Sequence, residues 1–221
     1  MDPRFSHIDT WVFDLDNTLY DADAYIFVEM GKRMNGFVAR TLDIPLDHAD
    51  TVRRDFYRKY GTTLRGLMTE HGVHPDDFLN DVHDLDITRV PPCAVTRDHI
   101  AALPGRRVVF TNAPRGFARD MTAQLGIDHL FDGIFGIEDG NYWPKPHEET
   151  YHAFLKEHDV DPARACMFED TAKNLRPART LGMTTVWLHG EQEPGEDVPH
   201  IQHKAERLPD WLKIHVRPAT K

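Results

Sequence analysis

Two carboxylates one residue apart, Asp14 and Asp16, close a short apolar run from Trp11 to Phe13. Such a run predicts a buried strand whose carboxyl end opens into a site. If Asp14 ends the strand and Asp16 lies just beyond it, both side chains reach one small volume, where their repulsion is tolerable only with a cation or a shared proton. Mg²⁺, a hard cation that takes oxygen ligands, suits the pair. The matching chemistry is phosphoryl transfer: one carboxylate attacks phosphorus, the other handles protons, and metal and backbone N–H groups hold the equatorial oxygens. Asp14 is the expected nucleophile, Asp16 the general acid and later the general base, and Leu15 between them is expected at the substrate. The competing reading is an Asx-turn in which Asp16 or Asn17 merely caps the turn that follows.

Three later places offer residues able to act on the same phosphate. Arg106 to Asn112 predicts a second strand ending in Thr111, whose hydroxyl can donate to a phosphoryl oxygen, and Asn112, whose N–H is expected at the start of a helix where an anion is favoured. Thr111 could equally cap that helix. Lys145 stands between Pro144 and Pro146, which stiffen its loop, and would neutralise nucleophile and phosphate together. Alone, it reads as a surface lysine. The adjacent Glu169 and Asp170 follow an apolar run, Ala165 to Phe168, where two carboxylates are costly without a cation. Asp170 is the expected direct Mg²⁺ ligand and Glu169 acts through water, so the metal set is Asp14, Asp16, Asp170 and Glu169. Thr171 and Asn174 lie where they can bond Lys145 or the metal's water shell.

The elements that must position these residues alternate. Strand-like stretches at 133–137, 165–168 and 184–188 and helical ones at 147–158 and 173–181 follow the helix marked by Phe117, Met121 and Leu125. Alternation of this kind implies an α/β fold, a doubly wound parallel sheet with helices on both faces. Pro177 fits its helix only within the first turn. Between Ala22 and about residue 86 the pattern is instead helix after helix: 22–42 ended by Pro45, about 47–60 ended by Gly61, 63–71, and one beginning at Pro75 with Asp76 and Asp77 in its first turn. That block reads as an all-helical cap inserted into the α/β core, giving residues 1–21 and 87–221 as core and 22–86 as cap. A link with Pro91 and Pro92 returns the chain to the core; an acidic exposed loop is expected at 190–200 and a short packed helix at 208–214.

Composition narrows the partners. The 221 residues carry 26 Lys and Arg against 36 Asp and Glu, a net charge of −10, with 40% hydrophobic and 28% charged residues. That balance excludes a nucleic-acid polymer as main partner but suits a small phosphorylated substrate. No stretch approaches a membrane span and no signal peptide is legible, so a cytoplasmic location is expected. Cys93 and Cys166 are too far apart for a metal-binding pair, and the fourteen histidines form no HExxH pattern. Oligomeric state is open at this level.

The run from Asp14 to Leu19 resembles the first motif of haloacid dehalogenase superfamily phosphatases, and Thr111, Lys145 and the Glu169–Asp170 pair resemble the remaining three in the right order. The resemblance implies a Rossmann-like core, a type 1 cap, Mg²⁺, and a covalent phosphoaspartate on Asp14. Dehalogenases of the superfamily lack an acid at the position of Asp16, so its presence implies phosphate chemistry. Tyr60 to Leu67, His74 to Phe78 and the closing Tyr20 resemble the pyrimidine 5′-nucleotidase branch. This implies hydrolysis of pyrimidine nucleoside 5′-monophosphates. The Tyr60 to Gly66 loop is then expected to read the substrate through Thr62, Thr63 and Arg65, against the alternative that the threonines cap the next helix and Arg65 is solvated. Other outcomes are a phosphatase or phosphomutase for a sugar phosphate or phosphoglycolate, or a non-catalytic phosphate-binding regulator.

Overall fold

The computed structural model describes residues 1–191 and 198–218. Its centre is a parallel sheet of β1 (Thr10–Phe13), β2 (Arg106–Phe110), β3 (Gly133–Phe135), β4 (Ala165–Glu169), β5 (Thr184–Leu188) and β6 (His203–Ala205), in the order β3-β2-β1-β4-β5-β6. The chain builds outward from β1 in one direction and then, from β4, in the other. That reversal opens a crevice at the carboxyl ends of β1, β2 and β4.

Side chains alternate across the sheet, and both faces are buried. Trp11, Phe13, Val109, Phe168 and Val186 pack on one side; Val12, Val108, Phe110, Met167 and Trp187 pack on the other. On the first face Phe168 stacks on Phe13 at 5.0 Å between ring centroids, and Trp211 meets Phe168 edge-on at 4.8 Å. Each such buried aromatic stabilises by roughly 2–3 kcal/mol relative to exposure.

Five helices follow β1: α1 (Ala22–Tyr25), α2 (Phe27–Leu42), α3 (Leu46–Tyr60), α4 (Thr63–His71) and α5 (Pro75–Val82). They form the helical cap. The expected single helix over 22–42 is broken at Ile26, which is not in α1 or α2. It ends at Leu42, where Asp43 adopts a left-handed conformation, because Pro45 forbids its predecessor Ile44 a helical backbone. Where α4 crosses α3, Gly66 is required: a Cβ there would lie 2.4 Å from the Phe56 ring.

The core helices are α6 (Ala94–Ala101), α7 (Arg115–Gln124), α8 (Glu148–Glu157), α9 (Leu175–Thr180) and α10 (Leu208–His215). α8 and α9 cover one sheet face with Tyr151, Phe154, Leu175 and Ala178; α6, α7 and α10 cover the other with Ile100, Met121 and Trp211. Pro177 does sit in the first turn of α9. α6 and β6 have no counterpart in the sequence reading, and most of the expected acidic loop, residues 192–197, lies outside the described residues. Among the described residues no helix is long and apolar enough to cross a membrane.

Candidate active site

Three neighbouring strands deliver the reactive groups to one place. Asp14 follows β1, and its N–H donates to the Phe168 carbonyl at 3.0 Å, extending the ladder with β4 by one residue and fixing the carboxylate at the strand end. Thr111 follows β2, with its N–H on the Phe135 carbonyl at 3.0 Å. Glu169 is the last residue of β4, and Asp170 comes next.

Lys145 joins these ends. Its ammonium donates to Asp14 Oδ1 at 2.7 Å, the Phe110 carbonyl at 2.8 Å and Glu169 Oε1 at 3.0 Å, matching three hydrogens with three acceptors. With its side chain 1% exposed, the lysine is buried, not on the surface. An unpaired ammonium at such depth would cost several kcal/mol. The loop is held by Asn112, whose Oδ1 accepts from the Lys145 N–H at 2.7 Å while its Nδ2 donates to the Lys145 carbonyl at 3.4 Å. The Lys145–Pro146 peptide bond is cis. Burial works against the lysine's charge, but Asp14 and Glu169 raise its affinity for the proton above the ordinary range. Burial pushes Asp14 up to about 7, helped by Glu169 and opposed by Lys145.

The remaining carboxylates differ in what holds them. Asp16 Oδ1 accepts from the Tyr20 hydroxyl; burial pushes Asp16 up to about 6, with Tyr20 and Lys145 pulling the other way. Burial would raise Glu169, but Lys145, the Thr171 N–H and Asn174 hold it below its usual range, Asn174 Nδ2 donating at 2.5 Å. Asp170 is more open and bonded by the Thr171 hydroxyl at 3.3 Å. Burial, then the charges of Glu169 and Asp14, push it up to about 9.

Thr111 is buried and its hydroxyl accepts from the Ala113 N–H at 3.0 Å, a bond within the loop and not a helix cap, since α7 begins at Arg115; the hydroxyl hydrogen remains to be donated. Asn112 does not start a helix: α7 begins at Arg115 behind Pro114, and the Asn112 side chain serves the Lys145 loop instead. Leu15 is fully buried and is not in the lining of the cavity above the carboxylates. Asn17 Oδ1 makes longer-range bonds than an Asx-turn, accepting from the Ala22 and Asp23 N–H groups and turning the chain into the cap.

Residues 8–182 match the sequence profile of the haloacid dehalogenase-like hydrolases. The chain belongs to that family. Among similar proteins, Phosphate metabolism protein 8 of Saccharomyces cerevisiae is 25% identical over 91% of this chain and 70% of its own length. Glyceraldehyde 3-phosphate phosphatase of Methanocaldococcus jannaschii is 22% identical over 92% and 95%. The crystal structure of a HAD phosphatase from Thermococcus onnurineus superposes with a TM-score of 0.63 at 19% identity, covering 94% of this chain and 97% of that one. That likeness carries the fold.

The donor set of this haloacid dehalogenase-like hydrolase fits Mg²⁺. One oxygen from each of Asp14, Glu169 and Asp170 lies within 4.8 Å of the others. All are hard donors. Four carboxylates, including Asp16, face the single ammonium of Lys145, an imbalance that a divalent cation corrects. Asp16, expected as a ligand, is not among these three; its Oδ1 accepts from the Tyr20 hydroxyl.

Above the carboxylates a cavity of about 440 Å³ runs up into the cap. Thr62 and Thr63 line it, but Thr62 also caps α4 by accepting from the Arg65 N–H at 3.1 Å, and Thr63 is buried. Arg65 is neither solvated nor in the lining: its guanidinium carbon lies 3.6 Å from the centroid of Trp143, holding cap to core. Lys173 makes a second such link, 4.8 Å over the Tyr57 ring with its ammonium 3.2 Å from the Tyr57 hydroxyl. Sequence reasoning missed Tyr57, Trp143, Arg53 and His83, and named Tyr20 only within a resemblance, without its bond to Asp16. Tyr20, four residues past Asp16, was the one with a readable signal.

Proposed function

We propose that the protein is a cytoplasmic, Mg²⁺-dependent phosphomonoesterase that works through a phosphoaspartate on Asp14 and prefers pyrimidine nucleoside 5′-monophosphates. The observation that carries the chemistry is the buried Lys145 ammonium, 2.7 Å from Asp14 Oδ1 and 3.0 Å from Glu169 Oε1, within a cluster of four carboxylates. Lys145 keeps Asp14 oriented and draws the phosphate's negative charge towards it. An Asp14 oxygen forms a bond to phosphorus as the bond to the substrate oxygen breaks, and Asp16, as a carboxylic acid, gives that oxygen its proton. Asp16, now a carboxylate, takes a proton from water; the water oxygen bonds to phosphorus and the link to Asp14 breaks, releasing phosphate. Thr111 supplies a hydroxyl donor to the phosphoryl oxygens. Mg²⁺, held by Asp14, Asp170 and Glu169, would supply charge to the phosphoryl oxygens in both halves.

In this reading residues 1–21 and 87–221 perform the chemistry and the cap, 22–86, selects the substrate. Resemblance of the Tyr60 to Leu67 and His74 to Phe78 segments to pyrimidine nucleotidases supports the nucleotide preference. A second reading, a small sugar-like phosphate as substrate, is favoured by the glyceraldehyde 3-phosphate phosphatase relative. A panel of phosphomonoesters assayed with Mg²⁺ separates them: higher kcat/KM for UMP and CMP than for triose, hexose and aryl phosphates supports the first, and the reverse order the second. No phosphate release from any member would end the phosphatase reading itself.

A further inference from the structure

The cavity that rises from Asp14 and Asp16 has walls of two kinds. Phe27, Met30, Met34, Phe78 and Leu79 make it largely apolar on the cap side. Set into those walls are one strong donor and one neutral acceptor, Arg53 and His83.

Arg53 is held in place from two sides: its Nε donates to Asn35 Oδ1 at 2.9 Å and its Nη2 to Asp50 Oδ1 at 2.9 Å. Asp50 offsets its charge in part, being shared with Arg54, whose Nη2 lies 2.7 Å from Oδ2. The remaining nitrogen, Nη1, has no acceptor among the described residues, so the guanidinium still has hydrogens to give a ligand. His83 lies just beyond the end of α5 with its ring edge-on to Phe117 of α7, 5.0 Å between centroids. Its Nδ1 is 3.0 Å from the Leu79 carbonyl, which can only accept, so Nδ1 carries the hydrogen and Nε2 is a bare acceptor. Burial keeps the ring neutral by pushing it down to about 4. Nε2 has no partner among the described residues.

This pairing discriminates between leaving groups. A polyol would leave hydroxyls against methionine and phenylalanine, each unpaired hydroxyl carrying a desolvation cost. A flat ring with apolar faces, one carbonyl and one N–H meets every part of the lining.

Resting on the phosphatase reading above, we propose that Arg53 and His83 form the specificity subsite, Arg53 donating to a ring carbonyl of an uncharged heteroaromatic leaving group and His83 Nε2 accepting from its ring N–H. The pair, with the apolar walls, selects a base with a ring carbonyl beside a ring N–H, as in uracil, over a sugar.

The test measures kcat/KM for UMP, N3-methyl-UMP and p-nitrophenyl phosphate with wild type, Arg53→Lys and His83→Phe. In wild type, methylation at N3 removes the hydrogen offered to His83 and lowers kcat/KM by about tenfold or more. His83→Phe preserves a ring against Phe117 and abolishes that preference for UMP over its methyl derivative. Arg53→Lys lowers the ratio of UMP to p-nitrophenyl phosphate activity by about tenfold, because a lysine cannot reproduce the fork held by Asn35 and Asp50. Wild-type enzyme that hydrolyses UMP and N3-methyl-UMP equally, or hydrolyses p-nitrophenyl phosphate but not UMP, overturns the subsite; so does a folded His83→Phe enzyme that keeps the wild-type preference. The wild-type comparison decides even if both variants misfold. Absence of p-nitrophenyl phosphate turnover in wild type with Mg²⁺ would instead strike the phosphatase reading.

Discussion

Lys145 Nζ stands 2.7 Å from Asp14 Oδ1, and both side chains are buried, so the residue proposed to attack phosphorus is oriented by a cation that has no other place to go. Replacing the lysine by methionine keeps much of its volume but leaves Asp14 and Glu169 facing one another. Lys145→Met is expected to lower kcat/KM by about a thousandfold or more, and to cost about 3 kcal/mol of stability as an uncompensated buried charge. Steady-state kinetics and a denaturant titration read the two effects separately. Activity within tenfold of wild type would remove Lys145 from the mechanism.

The two halves of the proposed reaction separate at Asp14 and Asp16. Asp14→Asn is expected to abolish turnover while retaining the fold, since the amide cannot attack phosphorus. Asp16→Asn, which can neither donate nor take the proton, slows release more than attack and so accumulates the phosphoenzyme. Intact-mass measurement after mixing with an aryl phosphate, followed by peptide mapping, checks this: the phosphoryl group belongs on Asp14, and its appearance on a histidine refutes the assignment.

Removal of divalent cations is expected to stop catalysis, and Mg²⁺ to restore it. Asp170→Ala raises the Mg²⁺ needed for half-maximal rate by about tenfold or more, because it deletes one of the three clustered oxygen donors. Full activity in excess chelator is the result that defeats the metal assignment.

His83 sets a pH dependence of stability. Its folded-state value is depressed to about 4 from an ordinary 6.5 by burial, so on acidification the unfolded chain takes up the proton first. The contribution is fully present above pH 6.5 and is lost as pH falls through 4, about 3 kcal/mol in all. The stability difference between wild type and His83→Gln, from urea titrations at pH 7 and pH 4.5, is expected to shift in favour of the variant at the lower pH. A difference that does not change with pH contradicts the buried neutral ring.

The candidate catalytic groups were legible because strand ends announce themselves: an apolar run stopping at Asp14, Thr111 or Glu169 needs only local sequence to be seen. The layers behind them were less so. α6 follows Pro91 and Pro92 with little amphipathic contrast, and β6 has three half-exposed residues at the sheet edge, giving no alternation to detect. The break at Ile26 was hidden because Ile26 and Met30 keep the helical spacing straight across it. Cap side chains were hardest. Periodicity puts Met30, Met34 and Phe78 on apolar faces, but whether a face meets core or cavity is fixed by how α2 and α5 pack. Arg65 and Arg53 look alike in sequence; only the fold sends one to Trp143 and the other to the cavity.

The contact between Arg65 and Trp143 ties an optical property to the position of the cap. Trp143 carries the guanidinium at 3.6 Å and is stacked with His147 at 4.1 Å, while a Cβ on Gly61 would come within 3.2 Å of Pro144 next door. Separating cap from core strips the indole of a cationic neighbour and admits water to the face it covered. Emission from Trp143 is therefore expected to report any separation of the two, a label-free stopped-flow signal from a seam where both parts of the chain meet at a tryptophan.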